Sequence, residues 1–151
     1  MTPHQKLGRL LVQMEIKYRE DKDRLFLVFD MDQYHDLDGE RMLLLSLKDF
    51  PDAKCISVEA SHLYTLPENR RDRFAEAALA VQYRVKFLRY ALDEEDGEVR
   101  VFAEVPYSED RYVTQRQIGR AFSVFSGAID QYDPYFRSVI ETNRLDSMQL
   151  P

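Results

Sequence analysis

Residues 84–106 read RVKFLRYALDEEDGEVRVFAEVP, and this stretch decides the fold class of the chain. Two runs rich in β-branched and aromatic residues, Val85–Leu92 and Val99–Val105, flank an acidic segment. Inside that segment the dipeptide Asp96-Gly97 is typical of a tight turn between two strands. The stretch therefore predicts an antiparallel β-hairpin.

Upstream of the hairpin, the pattern predicts one helix followed by three strands. Thr2 before Pro3 is a helix-start signal, and apolar residues then recur at helical spacing. Apolar runs at Leu25–Phe29 and Met42–Leu47, and an alternating run at Cys55–His62, predict the strands. The first run is apolar at every position, which is typical of a strand that is covered on both faces.

Two further helices are predicted on either side of the hairpin. Pro67 is placed to open one of them. Proline lacks a backbone N–H, and the first turn of a helix leaves that group without a partner in any case. Thr114 is a plausible cap for the other, whose apolar stripe runs from Ile118 to Tyr132. Pro134 is expected to interrupt that helix, with a short helix and a polar tail of about eight residues after it. The order α-β-β-β-α-β-β-α predicts the α+β class, with an antiparallel sheet flanked by helices.

Composition indicates a globular protein of one domain over residues 1–151. Hydrophobic residues make up 44% and charged residues 32% of the chain, and no low-complexity linker divides it. A lone cysteine, Cys55, excludes an internal disulfide framework and fits a reducing compartment. No run of about 18 apolar residues is present, so no membrane span is expected. We expect a cytoplasmic protein.

The charge of the chain limits its partners. A formal net charge of −6 opposes contact with phosphate backbones and anionic lipids. Direct nucleic-acid binding and membrane binding are therefore not expected. An acidic surface instead favours encounter with a basic client protein, including one that handles nucleic acid.

The predicted second helix carries an alanine-rich face. Its small side chains leave a smooth surface over which another backbone can come close, so it is either a packing face or a homodimer face. The same surface and the strand after it supply the candidate protein-contact residues. These are Phe74, Ala77, Ala78, Val81, Phe87 and Arg89.

The pattern over nearly all of the chain resembles the YbjN family of bacterial proteins, often called sensory transduction regulators. The resemblance rests on residues 84–93, Asp96-Gly97, residues 99–106, Val113-Thr114 at a helix start, and Asp133–Phe136. It implies a fold similar to that of type III secretion chaperones. It further implies a frequently dimeric protein-binding module, chaperone-like or regulatory, with a role in a stress response and no known active site. Such chaperones bind extended client segments along apolar grooves and strands.

Two groups of residues would instead fit a small enzyme or a metal-dependent sensor. The first is a set of oxygen ligands around His35, in a spacing that fails the EF-hand pattern: Asp30, Asp32, Asp36, Asp38 and Glu40. The second pairs Cys55 with His62, which lie seven positions apart on one predicted strand and so point to opposite faces. No metal, cofactor or catalytic residue is predicted, because a solvated loop and a buried small residue explain these patterns better.

Two groups of arginines suggest a third class, a protein that acts directly on DNA or RNA. Arg70, Arg71 and Arg73 form one group, and Arg111, Arg116 and Arg120 form another that is interleaved with Tyr107 and Tyr112. Basic residues alternating with aromatic ones are typical of single-strand binding surfaces. Acidic neighbours make surface ion pairs an equal explanation, and direct binding would require both groups to share one face.

Overall fold

The computed structural model describes residues 1–151 as a six-stranded antiparallel sheet with three helices on one face. The predicted α+β class is confirmed. In chain order the elements are α1 (Pro3–Gln13), β1 (Arg19–Asp21), β2 (Arg24–Asp30), β3 (Met42–Phe50), β4 (Cys55–Thr65), α2 (Arg71–Arg84), β5 (Arg89–Leu92), β6 (Glu98–Pro106) and α3 (Gln115–Thr142). The strands lie in the order β1-β2-β3-β4-β6-β5, and every neighbouring pair is antiparallel.

The core fills the space between the sheet and the three helices. Alternate side chains of each long strand point into it, among them Leu45, Val58 and Val101, all fully buried. Rings from α2, α3 and the sheet meet at its centre, where Phe136 lies 4.9 Å from Phe74 between ring centroids. None of the three helices combines the length and the hydropathy that a membrane span requires.

Local signals in the sequence located the starts of α1 and α3 and the turn before β6. The Thr2 hydroxyl accepts a hydrogen bond from the Gln5 N–H and so caps α1, as predicted. The Asp96-Gly97 turn is also present, with Gly97 at a φ of +79°. A Cβ at Gly97 would lie 2.1 Å from the Leu66 carbonyl oxygen, so both the backbone conformation and the space require glycine.

Three expectations about the strands differ from the structure. Strand β2 is covered on one face only, since Val28 is 56% exposed, so the expectation of two covered faces was wrong. The short strand β1 at the sheet edge was not predicted. Strand β5 begins at Arg89 and not at Val85, because the chain must first return from the end of α2 to the sheet edge.

The helices also differ from the prediction in two places. Pro67 precedes a single 3-10 turn, Glu68–Arg70, and α2 begins only at Arg71. Pro134 does not interrupt α3, which runs as one helix of 28 residues. The lost hydrogen bond of the proline is outweighed by packing on both sides of it, since Tyr132 and Phe136 are 5% and 0% exposed.

The tail after α3 lies back against the helices. Asn143 ends the helix in the left-handed conformation, at a φ of +56°. Leu145 and Leu150 pack partly buried against the core, and the Arg84 guanidinium donates a hydrogen bond of 2.8 Å to the Pro151 carbonyl oxygen. The predicted polar tail therefore contributes apolar contacts to the fold.

Candidate protein-binding surface

No helix covers the second face of the sheet, which we call the open face. Its side chains alternate along each strand with those of the core. They include Phe26 and Val28 on β2, Leu44, Ser46 and Lys48 on β3, Ser57 and Glu59 on β4, and Arg100, Phe102 and Glu104 on β6. Only Ser46 and Glu59 of these are buried, so most of the open face is available for contact.

One end of the open face carries an apolar patch formed by Val28, Leu37 and Leu44. Val28 and Leu44 lie directly opposite each other in the β2–β3 pairing and are 56% and 55% exposed. Leu37 comes from the loop between these strands, is 60% exposed, and lines the same groove of about 350 Å³. Large apolar side chains that are exposed together in one groove are typical of a surface that binds a partner.

A network of two carboxylates and two arginines lies beside the apolar patch. The Glu59 carboxylate, on a residue that is only 7% exposed, contacts the guanidinium groups of Arg24 at 3.5 Å and Arg100 at 3.3 Å. Arg100 also donates two hydrogen bonds to Glu98, at 3.0 and 3.1 Å. The four charges cancel, so the network is polar without being charged overall.

Glu98 also holds an irregularity in β4. The pairing of β4 with β6 shifts between Ala60 and Tyr64, and His62 adopts a φ of +52° within this bulge. The His62 N–H donates a hydrogen bond of 3.0 Å to the Glu98 carboxylate. Burial raises the pKa of Glu98, but the hydrogen bonds from Arg100 and His62 outweigh it and lower the pKa below its usual value. The carboxylate is therefore charged at neutral pH.

The loop of residues 31–41, which carries Leu37, is fastened to α3. The Asp130 carboxylate accepts hydrogen bonds from three consecutive N–H groups, those of residues 32–34, at 3.2, 2.8 and 2.8 Å. The Arg137 guanidinium donates a further bond of 2.6 Å to the His35 carbonyl oxygen. These contacts hold the loop between the helix layer and the open face, so the apolar patch has a fixed shape.

The acidic residues of this loop satisfy its own backbone. The Asp36 carboxylate accepts the N–H groups of Asp38 and Glu40, both at 2.9 Å, which is the geometry of a local turn. The chain has no group of three or more His, Cys, Asp or Glu side chains placed to hold a metal ion. Residues 37–41 of the loop are exposed to solvent.

Four of the predicted contact residues pack inside the chain. The exposed fraction is at most 8% for Phe74, Ala77, Ala78 and Val81. The smooth face of α2 is thus a packing face within the chain, and a partner would reach these four side chains only if α2 moved away. Phe87 and Arg89 lie instead at the edge of the sheet, where the Arg89 guanidinium pairs with Glu104 at 3.1 Å.

Cys55 and His62 do not come together. Cys55 begins β4 and His62 lies seven residues further along it, about 23 Å away at the usual rise of a strand. Burial raises the pKa of the Cys55 thiol, and Glu104 and Asp49 raise it further. The thiolate form that a nucleophile needs is therefore disfavoured at this position.

The two arginine groups occupy opposite ends of α3. Arg70 donates a hydrogen bond to the Ile140 carbonyl oxygen near the end of that helix, whereas Arg120 lies in its second turn. The separation along the helix is about 30 Å, so the groups do not form one basic patch. Tyr107 and Tyr112 contact each other, with ring centroids 4.9 Å apart, and both hydroxyls donate to buried Asp49, at 2.6 and 2.8 Å.

Comparison with known proteins gives a single kind of match. No protein-family model matches this chain, and no curated protein matches it in sequence. Among solved structures, the crystal structure of YbjN, a candidate transcription regulator from E. coli, superposes with a TM-score of 0.65. The match covers 88% of this chain and 93% of that one at 12% sequence identity. This chain has a YbjN-like fold. The likeness between the two proteins lies in the fold, and the resemblance inferred from the sequence is confirmed at that level.

The sequence did not reveal the network on the open face. Its members come from β2, β4 and β6, and their proximity depends on strand order and register. The available signal was the polar alternation of Ser57, Glu59 and Ser61 along β4, which indicates a strand with one uncovered face. Unless the register of the strands is known, that signal does not predict that Glu59 contacts Arg24 and Arg100.

Proposed function

We propose that this chain is a non-enzymatic protein-binding module of chaperone-like or regulatory type, which docks a partner protein on the open face. The observation that supports it best is the apolar patch of Val28, Leu37 and Leu44 beside the neutral network around Glu59. An apolar centre with a polar surround whose hydrogen bonds are already satisfied is the usual composition of a protein interface.

The partner can be defined by class from the charge of the chain. A net charge of −6 favours encounter with a basic protein, including one that itself handles nucleic acid. A regulatory role is in keeping with the description of YbjN, the structural neighbour, as a candidate transcription regulator. A second copy of this chain is the alternative occupant of the open face. Such a homodimer would form through the open face and not through the packed face of α2.

The test is a capture experiment with matched variants. The tagged protein, its V28D/L44D variant and a V12D control are each incubated with lysate of the source organism, and bound proteins are quantified by mass spectrometry. Val12 lies on α1 and is 64% exposed, so the control places one aspartate on an exposed apolar position away from the open face.

The expected result is a reproducible partner that is retained by wild type and V12D and reduced at least tenfold by V28D/L44D, because burying an unpaired charge opposes binding. Light scattering on the purified proteins identifies the case in which that partner is a second copy. Equal retention by all three proteins would assign the binding to another surface.

A further inference from the structure

A second site lies at the edge of the sheet, between α3 and the end of β6. Its walls are apolar and are formed by Phe87, Val105, Ala121 and Val124. They enclose a space of about 360 Å³, which we call the edge cleft. The size suits one or two large side chains and is within the range of specific binding pockets.

Two cations that line the edge cleft have no counter-charge. Neither Lys86 nor Arg120 forms an ion pair, although both side chains are exposed and the chain as a whole is acidic. Glu104 is the one acidic residue that lines the cleft, and its carboxylate is already paired with Arg89 at 3.1 Å. Other exposed guanidinium groups do find partners, as Arg73 does with Glu76 on α2 at 3.0 Å. The cleft therefore has a local positive charge that the rest of the chain does not balance.

A neighbouring hollow extends this positive region. It has a volume of about 290 Å³ and shares Pro106 and Gln117 with the edge cleft. Arg111 lines it and forms no ion pair either. Two adjoining hollows with unpaired cations at their margins fit an elongated ligand better than a compact one.

The backbone of β6 adds a free donor and acceptor to the wall of the cleft. The N–H of Tyr107 bonds to the Lys54 carbonyl oxygen at 2.9 Å, so the odd-numbered residues of β6 face β4 and the even-numbered ones face β5. Pairing with β5 ends where Arg89 lies opposite Phe102. The peptide N–H and C=O of Glu104 therefore point to a side where no strand continues. Such groups pair with the backbone of another chain.

We propose that the edge cleft binds an acidic segment of a partner protein in extended form. An apolar side chain of the segment occupies the cleft, flanking carboxylates contact Lys86 and Arg120, and the backbone lies beside Glu104. The edge cleft meets the open face at Glu104 but shares no lining residue with the groove of the apolar patch, and it selects a partner of the opposite charge. The free peptide groups favour a protein segment over a small amphipathic anion.

The probe is a short fluorescein-labelled peptide in which glutamate alternates with leucine, compared with a peptide that has lysine in place of glutamate. Fluorescence anisotropy at low salt measures binding to wild type, to K86E/R120E, to V124W, and to an R41E control. Arg41 is exposed and forms no ion pair, so R41E changes the net charge without touching the cleft. Circular dichroism checks that each variant keeps its fold.

The proposal expects wild type and R41E to bind the acidic peptide, and K86E/R120E and V124W to bind it at least tenfold more weakly. Added salt should weaken the interaction, and the lysine peptide should not bind. Equal binding by wild type and K86E/R120E overturns the proposal, as does the absence of binding to wild type at low salt. Dodecanoate is the third probe. If it binds saturably and neither peptide binds, the proposal is overturned and the ligand of the edge cleft is a small amphipathic anion.

Discussion

The two faces of the sheet can place the same residue type in opposite environments. Strand β3 displays this within five positions, because Leu43, Leu45 and Leu47 are at most 2% exposed while Leu44 is 55% exposed. The identity of a leucine therefore does not decide its environment. What decides it is the register, which puts Leu44 on the same face as the polar residues of β4 and the other three under the helices.

The largest effect that this comparison predicts comes from shortening adjacent leucines. Leu45→Ala should lower the free energy of unfolding by about 3 kcal/mol, because it removes a fully buried side chain and leaves a cavity. Leu44→Ala should change it by less than about 0.5 kcal/mol, since its side chain is already largely in water. Urea denaturation monitored by circular dichroism measures both variants.

The pair is informative because the two variants remove the same atoms from the same strand. A comparable loss for both leucines would mean that the open face is covered in solution, for example by a second copy. Repeating the measurement at several protein concentrations identifies that case, because only the stability of an oligomer depends on concentration.

The sequence predicts elements well where the signal is local. Thr2 and Thr114 cap their helices with neighbours three residues away, and the Asp96-Gly97 turn needs only its own backbone. Prediction fails where distant contacts outweigh a local preference. Pro134 lies inside a continuous helix because the buried side chains on both sides of it fix α3 against the sheet.

The candidate site was less predictable than the fold, for a related reason. Alanines at helical spacing on α2 predict a smooth face, but the same pattern serves packing within one chain and packing between two chains. The structure uses Ala77 and Ala78 for internal packing. The open face in turn brings together residues from strands far apart in sequence, such as Arg24 and Glu59. Their contact can be predicted only when the order of the strands in the sheet is known.

A smaller effect separates the inner and outer faces of α2. Ala78→Asp should lower the free energy of unfolding by about 2 kcal/mol, because the carboxylate would enter a site that is only 8% exposed. Ala75→Asp, on the exposed side of the same helix, should change it by less than about 0.5 kcal/mol. Thermal and urea denaturation check the difference. If Ala78→Asp instead kept the stability of wild type and abolished a dimer in light scattering, the α2 face would be an interface after all.

The smallest effect concerns charge on the open face. Glu98→Gln should lower the free energy of unfolding by about 1 kcal/mol at pH 7, because the paired hydrogen bonds from Arg100 lose their charged acceptor. Glu104→Gln is the control on the same strand and face. It breaks only an exposed pair with Arg89, so at pH 7 it should cost less than about 0.5 kcal/mol.

The effect of pH distinguishes a charge effect at Glu98 from a loss of packing. The folded-state pKa of Glu98 lies below the usual value of 4.5, so its ionised form stabilises the fold above that pH. This contribution is lost as the pH falls through the lowered folded-state pKa. The difference in unfolding free energy between wild type and Glu98→Gln should therefore stay constant above about pH 5 and shrink below pH 4.5. A difference that is independent of pH would mean that Glu98 acts through its shape alone, and the network would then be part of the packing of the sheet and not an electrostatic feature of the open face.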